Sequence, residues 1–189
     1  MIIRRVTSDK CKQKVLDHLM EMDTENRRLR FCYPASDESV KKYVESSFKK
    51  LNWGNAWFIC EDHDGNIKAS CHVAFDDRNF TAEIGFIVHP DLRGQGMGQK
   101  LFKRGVTWGR MRGAKELYMQ CLGENKVVQH IAAKHGMKQV TVGTDKEATL
   151  KLSNSCRITA TVNDAVDQCL ALYVKAIRRH TKKMEALFA

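Results

Sequence analysis

The sequence predicts an α/β chain of the α+β kind: a mixed, mostly antiparallel central sheet of about seven strands flanked by helices, with an added helix at the C-terminus. Three observations carry this. Residues 56–62, 67–75 and 80–88 are apolar runs separated by the polar turns DHDGN and DDRN, the pattern of hairpin-linked strands. From residue 80 onward, strand and helix patterns alternate, which implies a mixed sheet with helices packed on it. Beyond Ser153 the pattern changes to a long helical period.

Taken in order, Ile2, Ile3 and Val6 read as a short strand, and residues 8–22 carry Val15, Leu16, Leu19 and Met22 at helical spacing. Pro34 and Ser36-Asp37 interrupt the pattern, after which SDESVKKYVESSF reads as a second helix with Ser36 as its cap. The three hairpin-linked strands follow. Residues 96–112 then form a helix offering Met97, Leu101, Phe102, Val106 and Trp108 for burial. ELYMQCL (116–122) is a strand, 124–136 a helix stopped by Gly136, and MKQVTVG and EATLKLS are two last strands. The predicted order is strand, two helices, three strands, helix, strand, helix, two strands. This unit occupies residues 1–152. Residues 153–189 form a helical extension with Val162, Val166, Cys169, Leu170, Tyr173, Val174 and Ile177 on one stripe. Such a stripe suits packing on the domain or on a second copy, as a homodimer, better than insertion into a membrane.

Composition narrows the class. An apolar fraction of 43% and only two prolines in 189 residues describe a folded domain. No apolar run suits a signal peptide or approaches the ~20 residues of a membrane span, so a soluble, cytoplasmic protein is expected. The seven cysteines are scattered, with no CxxC and no alternating Cys/His block, so no metal site is predicted and most are read as small core residues. The net charge of +10 permits attraction to nucleic acid or acidic surfaces. Yet the basic residues are dispersed and no nucleic-acid-binding motif accompanies them, which favours a solvated basic surface.

The chemistry is concentrated in FIVHPDLRGQGMGQKLF. A strand ends near Val88, Pro90-Asp91 turns the chain, and glycines at 94, 96 and 98 precede a helix. Glycine permits close backbone approach and positive φ, and a helix start offers unpaired N–H groups to phosphate. The dinucleotide fingerprint fails, because the third glycine would have to be Gln99 or Leu101. The nucleotide loop ending Gly-Lys-[Ser/Thr] is absent. The pattern that fits is [RQ]-x-x-G-x-[GA], read as Arg93-Gly94-Gln95-Gly96-Met97-Gly98. With its strand, Val-x-Pro and helix context, this resembles the GNAT superfamily of N-acetyltransferases. Downstream, Asn125, Val128, Ile131, Ala132, Lys134, Gly136 and Met137 fall in register with a second family pattern. The resemblance covers roughly residues 1–152, most strongly 80–140.

The resemblance implies an acyl-CoA N-acyltransferase fold and acetyl-CoA as cofactor. It assigns backbone groups of Phe86, Ile87 and Val88 to the pantetheine and thioester, residues 93–98 to the pyrophosphate, and Asn125 to the pantetheine arm. The acceptor is an amine of a small molecule or protein. An alkylamine of pKa about 10 must lose a proton before it attacks, so a base is required. Glu83, on the strand leading to the loop, is the first candidate, and His72 on the preceding strand the second. An oxyanion donor is expected in the backbone near Ile87 or Val88. The tyrosine that usually protonates the sulfur falls at Ala132, so the proton comes from another donor (Tyr118, Cys121 or His130) or the thiolate leaves unaided. Arg27, Arg28 and Arg30 point to a carboxylate-bearing or acidic acceptor. The alternative is a catalytically silent acyl-CoA-binding or partner-docking module.

Overall fold

The computed structural model describes residues 1–153 and 157–188. Seven strands form one sheet in the order β1-β2-β3-β4-β5-β7-β6. They are β1 (Ile3–Arg5), β2 (Asn55–Glu61), β3 (Ile67–Asp76), β4 (Thr81–Val88), β5 (Glu116–Leu122), β6 (Lys138–Val142) and β7 (Asp145–Lys151). Every neighbouring pair is antiparallel except β4–β5. The helices are α1 (Lys12–Met20), α2 (Thr24–Phe31), α3 (Asp37–Lys49), α4 (Met97–Arg112), α5 (Lys126–Lys134) and α6 (Arg157–Phe188).

Side-chain alternation along the strands divides the interior into two cores, one on each face of the sheet. Ala82 and Ile84 of β4 and Leu117 and Met119 of β5 join Leu101, Phe102 and Trp108 of α4 and Ile131 of α5 on one face. Trp57, Ile59 and Ile87 join Val15, Leu19, Val40 and Val44 of α1 and α3 on the other. Ser36 caps α3, its Oγ accepting from the Ser39 N–H at 3.2 Å. Of the predicted core cysteines, Cys60, Cys71 and Cys121 are buried, Cys11 and Cys32 half-buried and Cys169 exposed. Cys156 lies outside the described residues.

The sequence reading places two helices before β2, whereas the structure has three. Helix α2 contains no buried residue, so it has no apolar period to detect. Its local signal is a cap: Asp23 accepts the Asn26 N–H at 2.7 Å. It ends at Cys32, which takes the left-handed conformation with φ of 65°.

The C-terminal helix packs on α4 and β1 through polar contacts. Asp164, buried, pairs with Arg104 at 3.0 Å and Arg5 at 3.2 Å, and Asp167 also pairs with Arg104. The Gln168 amide accepts from the Arg5 N–H and donates to the Arg5 C=O, each at 2.9 Å. Because β1 lies at the sheet edge, Gln168 satisfies backbone groups that a further strand would otherwise seek. Its opposite face leaves Ile158, Val162, Val166, Leu170, Tyr173 and Ile177 exposed. Among the described residues, no helix is long and apolar enough to cross a membrane.

Candidate functional site

The site is set by a break in the sheet. Strands β3 and β4 pair over eight positions, from Asp76↔Thr81 to Ala69↔Val88. Strands β4 and β5 pair over only three, Thr81↔Glu116, Ala82↔Leu117 and Glu83↔Tyr118, and then diverge. Antiparallel backbone groups alternate in direction. The His89 N–H bonds the Lys68 C=O toward β3, and the Phe80 C=O accepts from Lys115 toward β5. Odd-numbered residues of β4 therefore turn to β3 and even-numbered ones to β5. Phe86 and Val88 direct their N–H and C=O groups into the gap, while the Ile87 amide faces the β3 ladder and its side chain is buried.

The loop after β4 ends at an open helix terminus. Gly94 and Gly96 have φ of 73° and 72°, and a Cβ at either position would meet nothing within 4 Å. This is space a ligand can use. Gly96 is the N-cap of α4 and provides no side-chain cap, and the first turn holds no acidic residue. The helix's first backbone bond runs from Lys100 N–H to Gly96 C=O, leaving the N–H groups of Met97, Gly98 and Gln99 without an intrahelical acceptor. The Met97 side chain is buried in the core below. Gly98 lies where a Cβ would come within 2.8 Å of the Ile131 Cδ1 and 3.4 Å of Phe86, so α4, α5 and β4 converge closely here. Gln95 braces the loop by donating to the Asp91 C=O at 3.0 Å. Arg93 folds back, donating through Nε to the Val88 C=O at 3.3 Å and through Nη2 to Asn26 of α2.

Below the divergence lies a cleft of about 270 Å³ lined by α2, its following turn, α3, β3, β4, β5 and α5. Glu83 and His72 both line it. Glu83 is exposed on the face it shares with Gly85. His72 is buried, with Nδ1 2.8 Å from Tyr43 Oη and Nε2 3.1 Å from Asn55 Oδ1. Asn55 Oδ1 can only accept, so Nε2 carries the proton and Nδ1 accepts from Tyr43. Burial, and secondarily the Arg30 charge, pulls the imidazole down to about 3, so the ring is neutral. Tyr118 is paired with Glu83 across β4–β5 but does not line the cleft, and its phenol bonds Glu147. Burial first, and then the Glu147 charge, pushes that phenol up to about 12. Asn125 caps α5, accepting from the Val128 N–H at 3.3 Å and donating to the Leu29 C=O of α2 at 3.4 Å. Ala132 is buried, and no hydroxyl stands at its position.

Sequence reasoning missed the chain Arg30–Tyr43–His72–Asn55, drawn from α2, α3, β3 and β2. Arg30 Nη2 donates to Tyr43 Oη at 2.7 Å, continuing the line that ends at Asn55. The guanidinium lies where a side chain of residue 85 would stand: a Cβ on Gly85 would come within 2.5 Å of Arg30 Cζ. An isolated glycine inside a strand is the signal that marks such an approach.

Comparison with known proteins agrees with this geometry. The sequence profile of the "Acetyltransferase (GNAT) family" matches residues 16–137. The chain belongs to the GNAT acetyltransferase family. No curated protein matches the sequence. Among solved structures, the GNAT domain of S. lividans PAT superposes with a TM-score of 0.69 at 16% identity, covering 79% of this chain and 89% of that one. RimL, a ribosomal L7/L12 α-N-protein acetyltransferase in complex with coenzyme A, gives 0.60 at 14% identity over 81% and 94%. A point mutant of the spermidine N-acetyltransferase SpeG from Vibrio cholerae gives 0.59 at 16% over 85% and 99%. These similarities show a shared GNAT fold.

Proposed function

We propose that this GNAT chain is an acetyl-CoA-dependent N-acetyltransferase acting on a primary amine. The observation that carries the reading is the uncapped α4 terminus behind two left-handed glycines with open space above them. Its free N–H groups and positive dipole end fit a pyrophosphate. Residues 93–98 hold that group, and Phe86 and Val88 present backbone groups to the pantetheine arm in the gap. Ile87 contributes through its position in the core, and Asn125 by fixing the start of α5 beside the gap. Acetyl-CoA supplies the acetyl group as a thioester, the acceptor nitrogen forming the new C–N bond as the C–S bond breaks to give the N-acetyl product and free thiol.

Glu83 accepts the ammonium proton, directly or through water, because it is the carboxylate lining the cleft. His72 serves as a positioning residue, since its Nδ1 is committed to Tyr43. Tyr118 keeps its proton and adjoins Glu83 in the sheet, but its phenol is held by Glu147 outside the cleft, and Ala132 supplies no hydroxyl. The thiol's ordinary pKa of about 8.5 makes its anion a tolerable leaving group without a dedicated acid. The α6 stripe Ile158–Ile177, about 30 Å long at 1.5 Å per residue, is proposed to pair with the same stripe of a second copy. We place the protein in the cytoplasm. The decisive experiment is thiol release from acetyl-CoA across a panel of amines, run beside calorimetric titration of acetyl-CoA. Binding without thiol release for any amine would establish the silent acyl-CoA-binding module instead.

A further inference from the structure

We propose that the acceptor is a small zwitterion, an amine with a carboxylate a few bonds away as in a free amino acid, bound between Glu83 and Arg30. The inference rests on the acetyltransferase reading above and names the substrate class of that same cleft.

The three arginines near α2 are separated by their partners. Arg27 donates to the Met20 and Met22 carbonyls and pairs with Asp37. Arg28 pairs with Glu25 and Glu124. Arg30 lines the cleft, and its guanidinium bonds a neutral phenol. With His72 neutral, the cleft lining holds one cation, Arg30, and one carboxylate, Glu83. Among the described residues neither enters an ion pair, either with the other or with a third group.

The strand sets the spacing of the two positions from which they act. The guanidinium occupies the side-chain position of residue 85, two residues from Glu83 on the same face. That separation is about 6.6 Å along the strand. A molecule carrying an ammonium and a carboxylate on neighbouring carbons can present the first to Glu83 and the second to Arg30. Arg30 is held for this task. Tyr43 Oη fixes one Nη, the Phe31 and Tyr43 rings lie 5.1 and 5.6 Å from Cζ, and Gly85 leaves the seat empty. A planar guanidinium so held is suited to a carboxylate. The cleft volume of about 270 Å³ falls just below the range of drug-sized ligand sites, roughly 300–1,000 Å³, which suits a compact acceptor.

The test measures thiol release with matched sets such as alanine, alaninamide and ethylamine, extended across the amino acids, with spermidine and a capped-lysine peptide as anion-free amines. The intact amino acid is expected to exceed its carboxamide at least ~10-fold in kcat/KM. In Arg30→Met that preference should fall to within about threefold, the loss residing in the acid and not the amide. Gly85→Ala, whose new Cβ displaces the guanidinium, should collapse the preference in the same way. Tyr43→Phe should raise KM for the acid while largely sparing kcat. Differential scanning of the acetyl-CoA-loaded protein with alanine or alaninamide reads binding alone. Stabilisation by the acid without turnover upholds the zwitterion site while refuting the enzyme. Equal or better use of carboxamides, spermidine or the peptide, or an unchanged preference in folded Arg30→Met and Gly85→Ala, overturns the inference while leaving the acetyltransferase standing.

Discussion

On one side of the gap between β4 and β5, the end of β4, the 93–98 loop and the start of α4 offer backbone groups. On the other, α2, α3 and β3 offer side chains: Arg30, Tyr43 and His72 in a hydrogen-bonded line, with Glu83 at the boundary. The two helices that begin beside the gap repeat the contrast. Helix α4 starts on Gly96 without a cap, whereas α5 starts on Asn125, whose side chain bonds the Val128 N–H. A terminus left open can bind an anion; one closed by its own residue holds its helix in place. On the proposed function, the backbone side serves a ligand part common to every reaction cycle, and the side-chain side serves the part that differs.

The contrast breaks most completely at Gly96. Gly96→Glu forces a left-handed φ on a bulky residue and sets a negative charge at the α4 terminus, and should weaken acetyl-CoA binding at least ~1,000-fold by calorimetry. At the boundary, Glu83→Gln should lower kcat about 100-fold while leaving acetyl-CoA affinity within about threefold. A comparable loss in both would move Glu83 to the cofactor side.

The side-chain wall also sets a pH dependence. Burial, with the Arg30 charge second, lowers His72 of that wall to about 3, and burial likewise lowers His18, on α1 and outside the wall, to about 4. Both folded values lie below the unfolded one of about 6.5, so on acidification the unfolded chain takes up protons first. The stability from these two groups is complete above pH 7 and declines as pH falls below about 6.5, down to about 4 for His18 and about 3 for His72, by up to ~3 kcal/mol per pH unit. Thermal unfolding of His18→Leu should show about half that slope over the same range. The smallest effect belongs to the closed terminus. Asn125→Ala should cost about 1 kcal/mol, or roughly 2–4 °C in Tm. If Asn125 acts only as a cap, acetyl-CoA affinity should hold; a parallel loss would assign it to the cofactor as well.

The same division explains what could be read from sequence. Glycines at 94, 96 and 98 mark a candidate backbone site because their spacing is local and few side chains tolerate the left-handed conformation of the first two. The hairpin strands, α4, β5 and α5 were legible for a similar reason: their apolar periods lie in continuous stretches. Helix α2 was not, since it buries none of its side chains fully and only Asp23 announces it. The Arg30–Tyr43–His72–Asn55 line was not, because it joins four elements through contacts that no local spacing encodes. Gly85 was its one trace, and Arg27, Arg28 and Arg30 looked alike until their partners separated them. Helix α6 was legible as amphipathic, but which face would turn inward was not: Asp164 and Gln168 hold it down while the apolar stripe faces out.

The short β4–β5 ladder has one more consequence. It places an unzipped margin in the middle of the sheet, where Phe86 and Val88 direct amide hydrogens into a slot instead of to a neighbouring strand. Those two amides should trade hydrogen for deuterium far faster than the Ile87 amide between them, and slow sharply once an extended thiol-bearing chain lies alongside, as if the molecule had gained an eighth strand made of something other than protein.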